Sequence, residues 1–263
     1  MLQISSCEWF ATLTGWRLLK SGDAVLSKKP GFVEATFLKY FTRKAKVTSV
    51  EVLSEHFRLV TLQGEELKDH VFAVGQKTQI PIGGLSARTF TPIMWDNVLG
   101  RTKFLAFCHG DTPAVRLVNA LKEGSDIAMF GPRGSLDLGS LATPALLFGD
   151  ETSFGLAASL SASGAGDVAF LFEVTSVTEA KAVLAALGIA NAVLVERMTG
   201  DMHLDQLESQ MAQMVEARRL KQFVLTGKSV AIQRLSRALK AQGVATAAIK
   251  AKAYWAPGKT GLD

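Results

Sequence analysis

The chain has 263 residues, 48% of them hydrophobic and 20% charged, which is a normal globular balance and enough length for two domains. Its longest wholly apolar runs, such as Val168–Phe172, fall far short of the ~20 residues that a membrane helix needs, so membrane insertion is not expected. Two cysteines, Cys7 and Cys108, exclude a disulfide framework and a four-cysteine metal or iron–sulfur site.

The net charge and the N-terminal sequence bear on the expected binding partners and the cellular location. A net charge of +5 suits an anionic partner such as a nucleotide or an acidic metal chelate, and a solvated basic surface explains it equally well. Nucleic acid is not expected, because neither a long Lys/Arg block nor a recognised nucleic-acid motif accompanies the charge. Glu8 comes early and polar residues interrupt the stretch that follows, unlike the continuous apolar run of an export signal. Together with the few cysteines, this predicts a cytoplasmic protein.

Residues 1–40 form an irregular N-terminal extension. Gly15, Gly22, Pro30 and Gly31 interrupt any long helix there. The sequence assigns the extension no role, and it is either packed on the domain that follows or disordered.

Residues 41–140 are predicted to form an antiparallel β-barrel. Short segments rich in β-branched residues follow one another at small intervals, as the strands of a small barrel do. The predicted strands are Lys46–Leu53, Phe57–Leu62, Thr78–Ile82, Ala87–Ile93, Thr102–Phe107 and Asp126–Phe130. One helix, Pro113–Lys122, is predicted among them, because apolar residues recur there at helical spacing behind a proline suited to a first turn.

Residues 141–263 are predicted to form an open, mostly parallel α/β sheet with helices on both faces, because strand and helix patterns alternate. The predicted strands are Ala145–Phe148, Asp167–Glu173, Ala192–Val195, Gln222–Leu225 and Ala247–Tyr254. The predicted helices are Ser153–Ala162, Thr178–Leu187, Leu204–Leu220 and Val230–Gln242. In such sheets ligands bind at the carboxyl ends of the strands.

The first chemically informative segment is Arg88-Thr89-Phe90-Thr91, late in the barrel region. An arginine can hold a pyrophosphate through a two-pronged guanidinium contact. An aromatic two residues further on shares its strand face and can cover a flat ring, and the adjacent threonine can bond a ring nitrogen. An ordinary strand with an exposed arginine is the simpler interpretation of these four residues alone.

Three further segments carry polar or aromatic residues at element boundaries. His109–Val115 ends a strand and opens the predicted helix, whose N-terminus suits phosphate, although His109 alone fits an ordinary turn. Phe148–Thr152 occupies the first strand-to-helix turn of the α/β half, without a G-x-G-x-x-G fingerprint, and Asp150 and Thr152 serve equally well as helix caps. Tyr254–Lys259 ends the last strand, where aromatics cover a cofactor or fill the core.

Taken in order, these segments resemble the siderophore-interacting, FAD-binding ferric reductases of the ferredoxin-reductase superfamily. The resemblance spans roughly residues 44–260 and rests on five motifs in sequence: Arg88–Thr91, His109–Ala114, Gly131-Pro132-Arg133-Gly134, Gly149–Thr152 and Tyr254–Gly258. It implies an FAD-binding barrel followed by an NAD(P)H-binding α/β domain.

The resemblance also implies residue roles. Arg88 would bind FAD phosphate, Phe90 would stack near the isoalloxazine, and Thr91 would approach the flavin ring. The FAD site would be completed by Thr89, His109, Gly110, Ala114 and Val115. The nicotinamide nucleotide would meet Gly149, Asp150, Glu151 and Thr152. Trp255 would lie near the flavin face, and Tyr254 would also belong to the cofactor site. Phe90 stands where the family has tyrosine and Val115 where it has serine, so a phenolic and a hydroxyl contact are lost.

The activity so implied is reduction of a ferric siderophore by NADH or NADPH through FAD, with release of Fe(II) and with a ferredoxin as an alternative electron donor. Because flavin chemistry needs no protein acid or base, no catalytic residue is expected. Many ferric siderophores are anionic, so basic side chains near the flavin would dock them; the candidates are Arg133, Lys252 and Lys259. Two alternatives stay open: another flavin oxidoreductase or electron-transfer flavoprotein on this scaffold, and a binding protein without enzyme activity.

Two other segments contain residues typical of phosphate or metal sites. Gly227-Lys228-Ser229 matches the end of a phosphate loop, but the first glycine of that motif would fall at Gln222. Asp201, His203 and Asp205 cluster before a predicted helix, where capping and solvent exposure are expected rather than a metal site.

Overall fold

A computed structural model describes residues 42–68, 70–83 and 86–258. The N-terminal extension, residues 1–40, and the candidate Lys259 therefore lie outside the described residues. Among the described residues, no helix is long and apolar enough to cross a membrane.

The first half is a nearly closed antiparallel barrel, as expected. Its strands are β1 Arg43–Val52, β2 Phe57–Gln63, β3 Lys77–Gly83, β4 Ser86–Phe90, β5 Pro92–Asp96, β6 Arg101–Phe107 and β7 Asp126–Arg133. Their order in the sheet is β4-β3-β7-β1-β2-β6-β5, so the two edge strands are consecutive in sequence. The barrel therefore comes together at the short link between β4 and β5.

The link is Thr91, and it corrects one prediction. The sequence predicted a single strand over Ala87–Ile93, whereas the structure ends β4 at Phe90 and starts β5 at Pro92. β4 pairs with β3 and β5 pairs with β6. Since proline has no N–H to donate to a continuing ladder, the chain changes pairing partner at this point.

One helix, α1 Pro113–Ala120, crosses the barrel between β6 and β7, and it ends two residues before the prediction. The Thr112 hydroxyl accepts a hydrogen bond from the Val115 N–H and caps the helix. Val118 is the residue of this helix that is buried in the barrel core. The cap and the buried valine fix where the helix starts and which side faces inward.

The second half is a five-stranded, fully parallel sheet flanked by helices, which confirms the predicted architecture. Its strands are β8 Ala145–Gly149, β9 Val168–Val174, β10 Ala192–Glu196, β11 Gln222–Lys228 and β12 Ile249–Trp255, in the order β10-β9-β8-β11-β12. Its helices are α2 Phe154–Ala162, α3 Val177–Ala186, α4 Leu204–Arg218 and α5 Ser229–Ala241. The two sheets span residues 43–133 and 145–255, and the domain boundaries near 40 and 140 stay a prediction.

A single apolar cluster joins the halves. Helix α2 is apolar on nearly every side and is buried almost throughout, because it lies between the parallel sheet and the barrel. Phe154 on this helix stacks on Phe57 of β2 with ring centroids 5.6 Å apart. A Cβ on Gly155 would lie 3.3 Å from the Thr91 carbonyl oxygen, so a small residue permits the close approach of helix and barrel link. Each buried phenylalanine contributes roughly 1.5–3 kcal/mol by leaving water.

Candidate functional site

A cavity of about 460 Å³ lies between the barrel and the carboxyl edge of the parallel sheet. Its barrel wall is formed by Arg88, Phe90, Ala106, Phe107, Cys108, His109, Thr112, Ala114, Val115 and Val118. Its sheet wall is formed by Asp150, Glu151, Thr152, Thr175, Arg197, Trp255 and Ala256. The volume falls within the roughly 300–1,000 Å³ of small-molecule sites, and the position is the one where open α/β sheets bind ligands.

The alternation of side chains along β4 decides which residues of the Arg88 segment face the cavity. Arg88 and Phe90, two residues apart on β4, both line the cavity, whereas Thr89 points to the other face and accepts a hydrogen bond from the Gln79 amide at 3.2 Å. Phe90 is only 9% exposed, because its ring packs on Phe104 with centroids 4.5 Å apart. Arg88 is thus the cation of the barrel wall, and Phe90 offers the cavity little of its ring.

The segment after β6 brings His109 and the start of α1 to the same wall. Withdrawal from water lowers the pKa of His109, and nearby Arg88 lowers it further, so the ring is neutral at pH 7. The ring lies against Phe107 with centroids 4.8 Å apart. Gly110 follows with a φ of +64° and lets the chain turn into the helix. A neutral imidazole and a helix N-terminus therefore lie beside Arg88.

At the opposite wall, the first strand-to-helix turn is held by Asp150. This side chain is fully buried, and its Oδ1 accepts hydrogen bonds from the backbone N–H and the hydroxyl of Thr152. Burial raises the pKa of Asp150, while the hydrogen bonds from Thr152 and Trp255 oppose that rise. A Cβ at Gly149 would overlap Ser153, so glycine is required at the end of β8. The capping role that the sequence allowed for Asp150 is the one the structure shows.

Glu151 belongs to a buried ion pair that the sequence did not reveal. Its side chain is 3% exposed and pairs with the Arg197 guanidinium. The other Glu151 carboxylate oxygen accepts from the Thr175 N–H at 2.6 Å, and Arg197 donates to the Thr175 hydroxyl at 2.8 Å. Glu151, Thr175 and Arg197 thus link the carboxyl ends of β8, β9 and β10 along the cavity.

His203 corrects another expectation. The sequence assigned Asp201, His203 and Asp205 to capping and solvent, but His203 is fully buried and bonds the equally buried Glu173 at 2.8 Å. His203 Nδ1 accepts from the Met198 N–H at 3.2 Å, which assigns the ring proton to Nε2 as the donor to Glu173. The reason is tertiary: the turn before α4 folds back over the end of β9. Asp201 and Asp205 instead pair with Lys228 and Arg234.

The last strand connects both walls. Tyr254 hydrogen-bonds the Thr91 side chain at the barrel link, and burial raises the pKa of its phenol. The next residue, Trp255, donates its indole N–H to Asp150 Oδ2 at 2.6 Å and lines the cavity. Thr91 and Tyr254 are not part of the lining.

The three candidate substrate residues are not gathered at the cavity. Arg133 is exposed at the end of β7 and donates to the Gln79 side chain, and Lys252 lies on β12 opposite Thr226; neither belongs to the lining. Lys259 lies outside the described residues. The docking role of these three residues stays a prediction.

The structure adds residues that the sequence reasoning missed. Arg197 and Thr175 directly follow the strands β10 and β9, so the rule that ligands meet the carboxyl ends of parallel strands could have identified both. Cys108 lies between the strand β6 and His109, and burial raises the pKa of its thiol, which keeps it protonated. No group of three His, Cys, Asp or Glu side chains suited to a metal ion occurs within residues 42–68, 70–83 and 86–258.

Comparison with known proteins identifies the fold. No protein-family model matches the chain, and no curated protein matches it. The siderophore-interacting protein SipS from Aeromonas hydrophila is 19% identical, with a TM-score of 0.67 over 84% of this chain and 93% of that one. The siderophore-interacting protein from Acinetobacter baumannii is 15% identical, with a TM-score of 0.65 over 83% and 92%. A ferredoxin NADP+ reductase from Neisseria gonorrhoeae, solved with bound FAD and NADP, is 15% identical, with a TM-score of 0.64 over 81% and 99%. The chain has the two-part fold these proteins share, which confirms the fold that the resemblance implied.

Proposed function

We propose that the protein is an FAD-dependent reductase that passes electrons from NADH or NADPH to a ferric siderophore and releases Fe(II). The observation that carries this proposal is the cavity itself, with Arg88, His109 and the start of α1 on one side and the carboxyl edge of a parallel sheet on the other. A ferredoxin is an alternative donor on the same scaffold.

The barrel wall fits FAD. Arg88 offers a guanidinium to a pyrophosphate, and the N-terminal turn of α1, from Thr112 to Val115, suits the same anion. Apolar surface from Phe107, Ala114 and Val115 suits a flat ring system. Neutral His109 can either donate to or accept from a polar ring edge.

The two departures from the family pattern have local consequences. Phe90, which stands where the family has tyrosine, packs its ring on Phe104 in the barrel core. It therefore contributes to barrel packing and offers no phenolic hydroxyl to a ligand. The Val115 N–H donates to the Thr112 hydroxyl, and the Val115 side chain offers the cavity only apolar surface. Phosphate binding would therefore depend mainly on Arg88.

The sheet wall suits the electron donor. Gly149 through Thr152 form the turn at which an open α/β sheet receives a nucleotide. Within that turn, Asp150 and Glu151 are engaged in buried contacts, and Thr152 already donates its N–H and its hydroxyl to Asp150. A nucleotide would therefore meet mainly the remaining backbone and the face of Thr152 that lines the cavity.

Bound FAD would supply the chemistry, because a flavin accepts a hydride from a nicotinamide and gives up electrons singly. The protein would position the flavin, shield it from water and provide a positive charge beside it. The apolar side chains of the barrel wall would shield a bound flavin from water, and the positive charge of Arg88 favours anionic ligands. Reduction of the substrate ion from Fe(III) to Fe(II) weakens its hard oxygen contacts, so the iron passes to competing ligands without a protein acid or base.

The siderophore as electron acceptor is supported by the names of two structural neighbours, SipS and the Acinetobacter baumannii protein. The second candidate is a flavoprotein that delivers electrons to a partner protein such as a ferredoxin. The neighbour that favours it is the Neisseria gonorrhoeae ferredoxin NADP+ reductase, of which the match covers 99%.

One anaerobic experiment tests the proposal. Purified protein is loaded with FAD, reduced with NADH or NADPH, and mixed with a ferric hydroxamate or ferric catecholate siderophore in the presence of a chromogenic Fe(II) chelator. Reoxidation of the flavin with stoichiometric Fe(II) capture is expected. Reduction by the nicotinamide followed by electron transfer to a ferredoxin but not to any ferric siderophore would favour the second candidate. Absence of FAD binding would refute both.

A further inference from the structure

A hydrogen bond joins Asp150 to Trp255 at the edge of the cavity. Asp150 is fully buried, and Trp255 Nε1 lies 2.6 Å from its Oδ2, well within hydrogen-bonding distance. The other carboxylate oxygen is occupied by the N–H and hydroxyl of Thr152. Both oxygens of Asp150 therefore have partners within the protein.

The surrounding backbone is shaped to accept this contact. A Cβ at Gly227 would lie 2.5 Å from Asp150 Oδ2, and Gly227 has a φ of +94°, which disfavours any other residue. The pairing of β11 with β12 shifts register between Gly227 and Lys228, so that Lys228 lies opposite Trp255. Lys228 Nζ is 5.8 Å from the indole centroid and is held there by Asp201 at 2.5 Å.

The neighbouring residue is anchored to the other half. Tyr254 bonds Thr91, the link that closes the barrel. Consecutive residues of β12 are thus fixed to opposite sides of the cavity, Tyr254 to the barrel and Trp255 to the sheet edge.

We propose that Asp150 is a positioning residue, which holds the Trp255 indole as a fixed wall of the cavity and does not itself contact the nucleotide. The resemblance had assigned Asp150 to the nicotinamide nucleotide, so the two roles make opposite predictions. The proposal concerns the ligand-free protein first, and only its effect on FAD rests on the proposed function.

The direct test is hydrogen exchange of the indole N–H, measured by NMR on the protein without ligand. The Trp255 signal is identified as the one missing from Trp255→Phe. Its exchange should be slow in the wild type and about tenfold or more faster in Asp150→Asn, because an amide cannot accept from both Thr152 and Trp255. Trp95 is the internal control, since its indole donates to the Leu67 carbonyl oxygen at 2.9 Å and should exchange at an unchanged rate. Exchange of Trp255 in the wild type at the rate of a solvent-exposed indole would overturn the proposal, and this result does not depend on whether Asp150→Asn folds.

A double-mutant cycle separates positioning from ligand contact. Asp150→Asn and Trp255→Phe should each weaken FAD binding about three- to tenfold, and the double variant should be no weaker than either single one, because both changes remove the same bond. Binding of ADP-ribose, the donor without its nicotinamide, should change less than about twofold in Asp150→Asn. Weaker ADP-ribose binding in Asp150→Asn, also in the Trp255→Phe background, would assign Asp150 to the nucleotide and overturn the proposal. If no form binds FAD, the proposed function fails while the exchange result still decides the role of Asp150.

Discussion

The barrel wall of the cavity is mostly apolar with one cation, whereas the wall at the parallel sheet carries polar and charged side chains that contact one another, with the carboxylates of Asp150 and Glu151 buried. Arg88 faces the cavity from the barrel strand β4, two residues before the buried Phe90. Across from it, Glu151 and Arg197 pair with each other, and Asp150 holds Trp255. The Arg88 guanidinium of the barrel wall can therefore bind an anionic ligand. The charged groups of the sheet wall instead bind one another or Trp255 and hold that wall in place.

The largest effect is expected where the two regions meet. Phe154→Ala should lower the free energy of unfolding by about 3–5 kcal/mol, because it empties the space between α2 and the barrel strand that carries Phe57. Urea unfolding measures the loss, and Val230→Ala, at a 40% exposed apolar position, is the control and should change stability by less than about 0.5 kcal/mol. Equal effects of the two variants would show that the halves do not share a core.

The buried pair of the sheet wall comes next. Arg197→Met should cost about 3 kcal/mol, because it leaves the 3% exposed Glu151 carboxylate without its cation. Arg218→Met is the matched control: Arg218 pairs with Asp167, both about half exposed, and its loss should cost less than about 1 kcal/mol. A loss for Arg197→Met no greater than that of the control would mean that the sheet wall does not depend on this pair.

The pH dependence of stability should distinguish the buried carboxyl of Glu173 on β9 from the carboxyl of Glu179, which contacts the barrel. Burial raises the pKa of Glu173, with an opposing hydrogen bond from His203, so the unfolded state loses its proton first. The stability associated with Glu173 is complete below its unfolded pKa, about 4.5, and is lost as pH rises through the folded pKa. Glu173→Gln should flatten this decline in urea unfolding measured from pH 4 to pH 8.

Glu179 is the control of opposite sign. Its pKa is lowered: burial acts to raise it, but hydrogen bonds from Ser54 and His56 of the barrel outweigh that. Its contribution is present above its unfolded pKa and is lost as pH falls, so Glu179→Gln should flatten an acid-side decline. The same pH response for both variants would contradict the assignment of Glu173 to a desolvated site.

The smallest effect belongs to the barrel wall. Thr112→Ala should cost about 1 kcal/mol, because it removes the hydroxyl that caps α1 through the Val115 N–H at 3.2 Å. Thr112→Ser should retain most of the stability. Thermal unfolding of the two variants measures the difference, and identical losses would show that the hydroxyl does not hold the start of α1.

The same contrast explains what the sequence could predict. Strand alternation and helical spacing are local patterns, and they predicted the barrel and the parallel sheet. The order of the motifs carried the resemblance that assigned Arg88 and His109 to one FAD site, and both line the same cavity. The sequence did not predict that the barrel closes at Thr91. The strands β4 and β5 pair with different neighbours but are separated by one residue, so their sequence reads as a single strand.

The sheet wall was harder to predict, since its contacts join residues distant in sequence. Glu151 and Arg197 are 46 residues apart, and Asp150 and Trp255 are 105 apart. No periodicity marks such pairs. His203 was assigned to solvent for the same reason, because only the fold brings it against Glu173.

The most direct test of the account is a titration of the protein with FAD, followed by flavin absorbance and fluorescence, in the wild type and in two matched variants. Arg88→Gln removes the cation of the barrel wall, and Arg133→Gln removes an exposed arginine of the same barrel that does not line the cavity. We expect wild-type binding at one FAD per chain, roughly 10- to 100-fold weaker binding in Arg88→Gln from the loss of a charged hydrogen-bonding partner, and unchanged binding in Arg133→Gln. No binding by the wild type, or equal weakening by both variants, would contradict the assignment of the cavity to FAD.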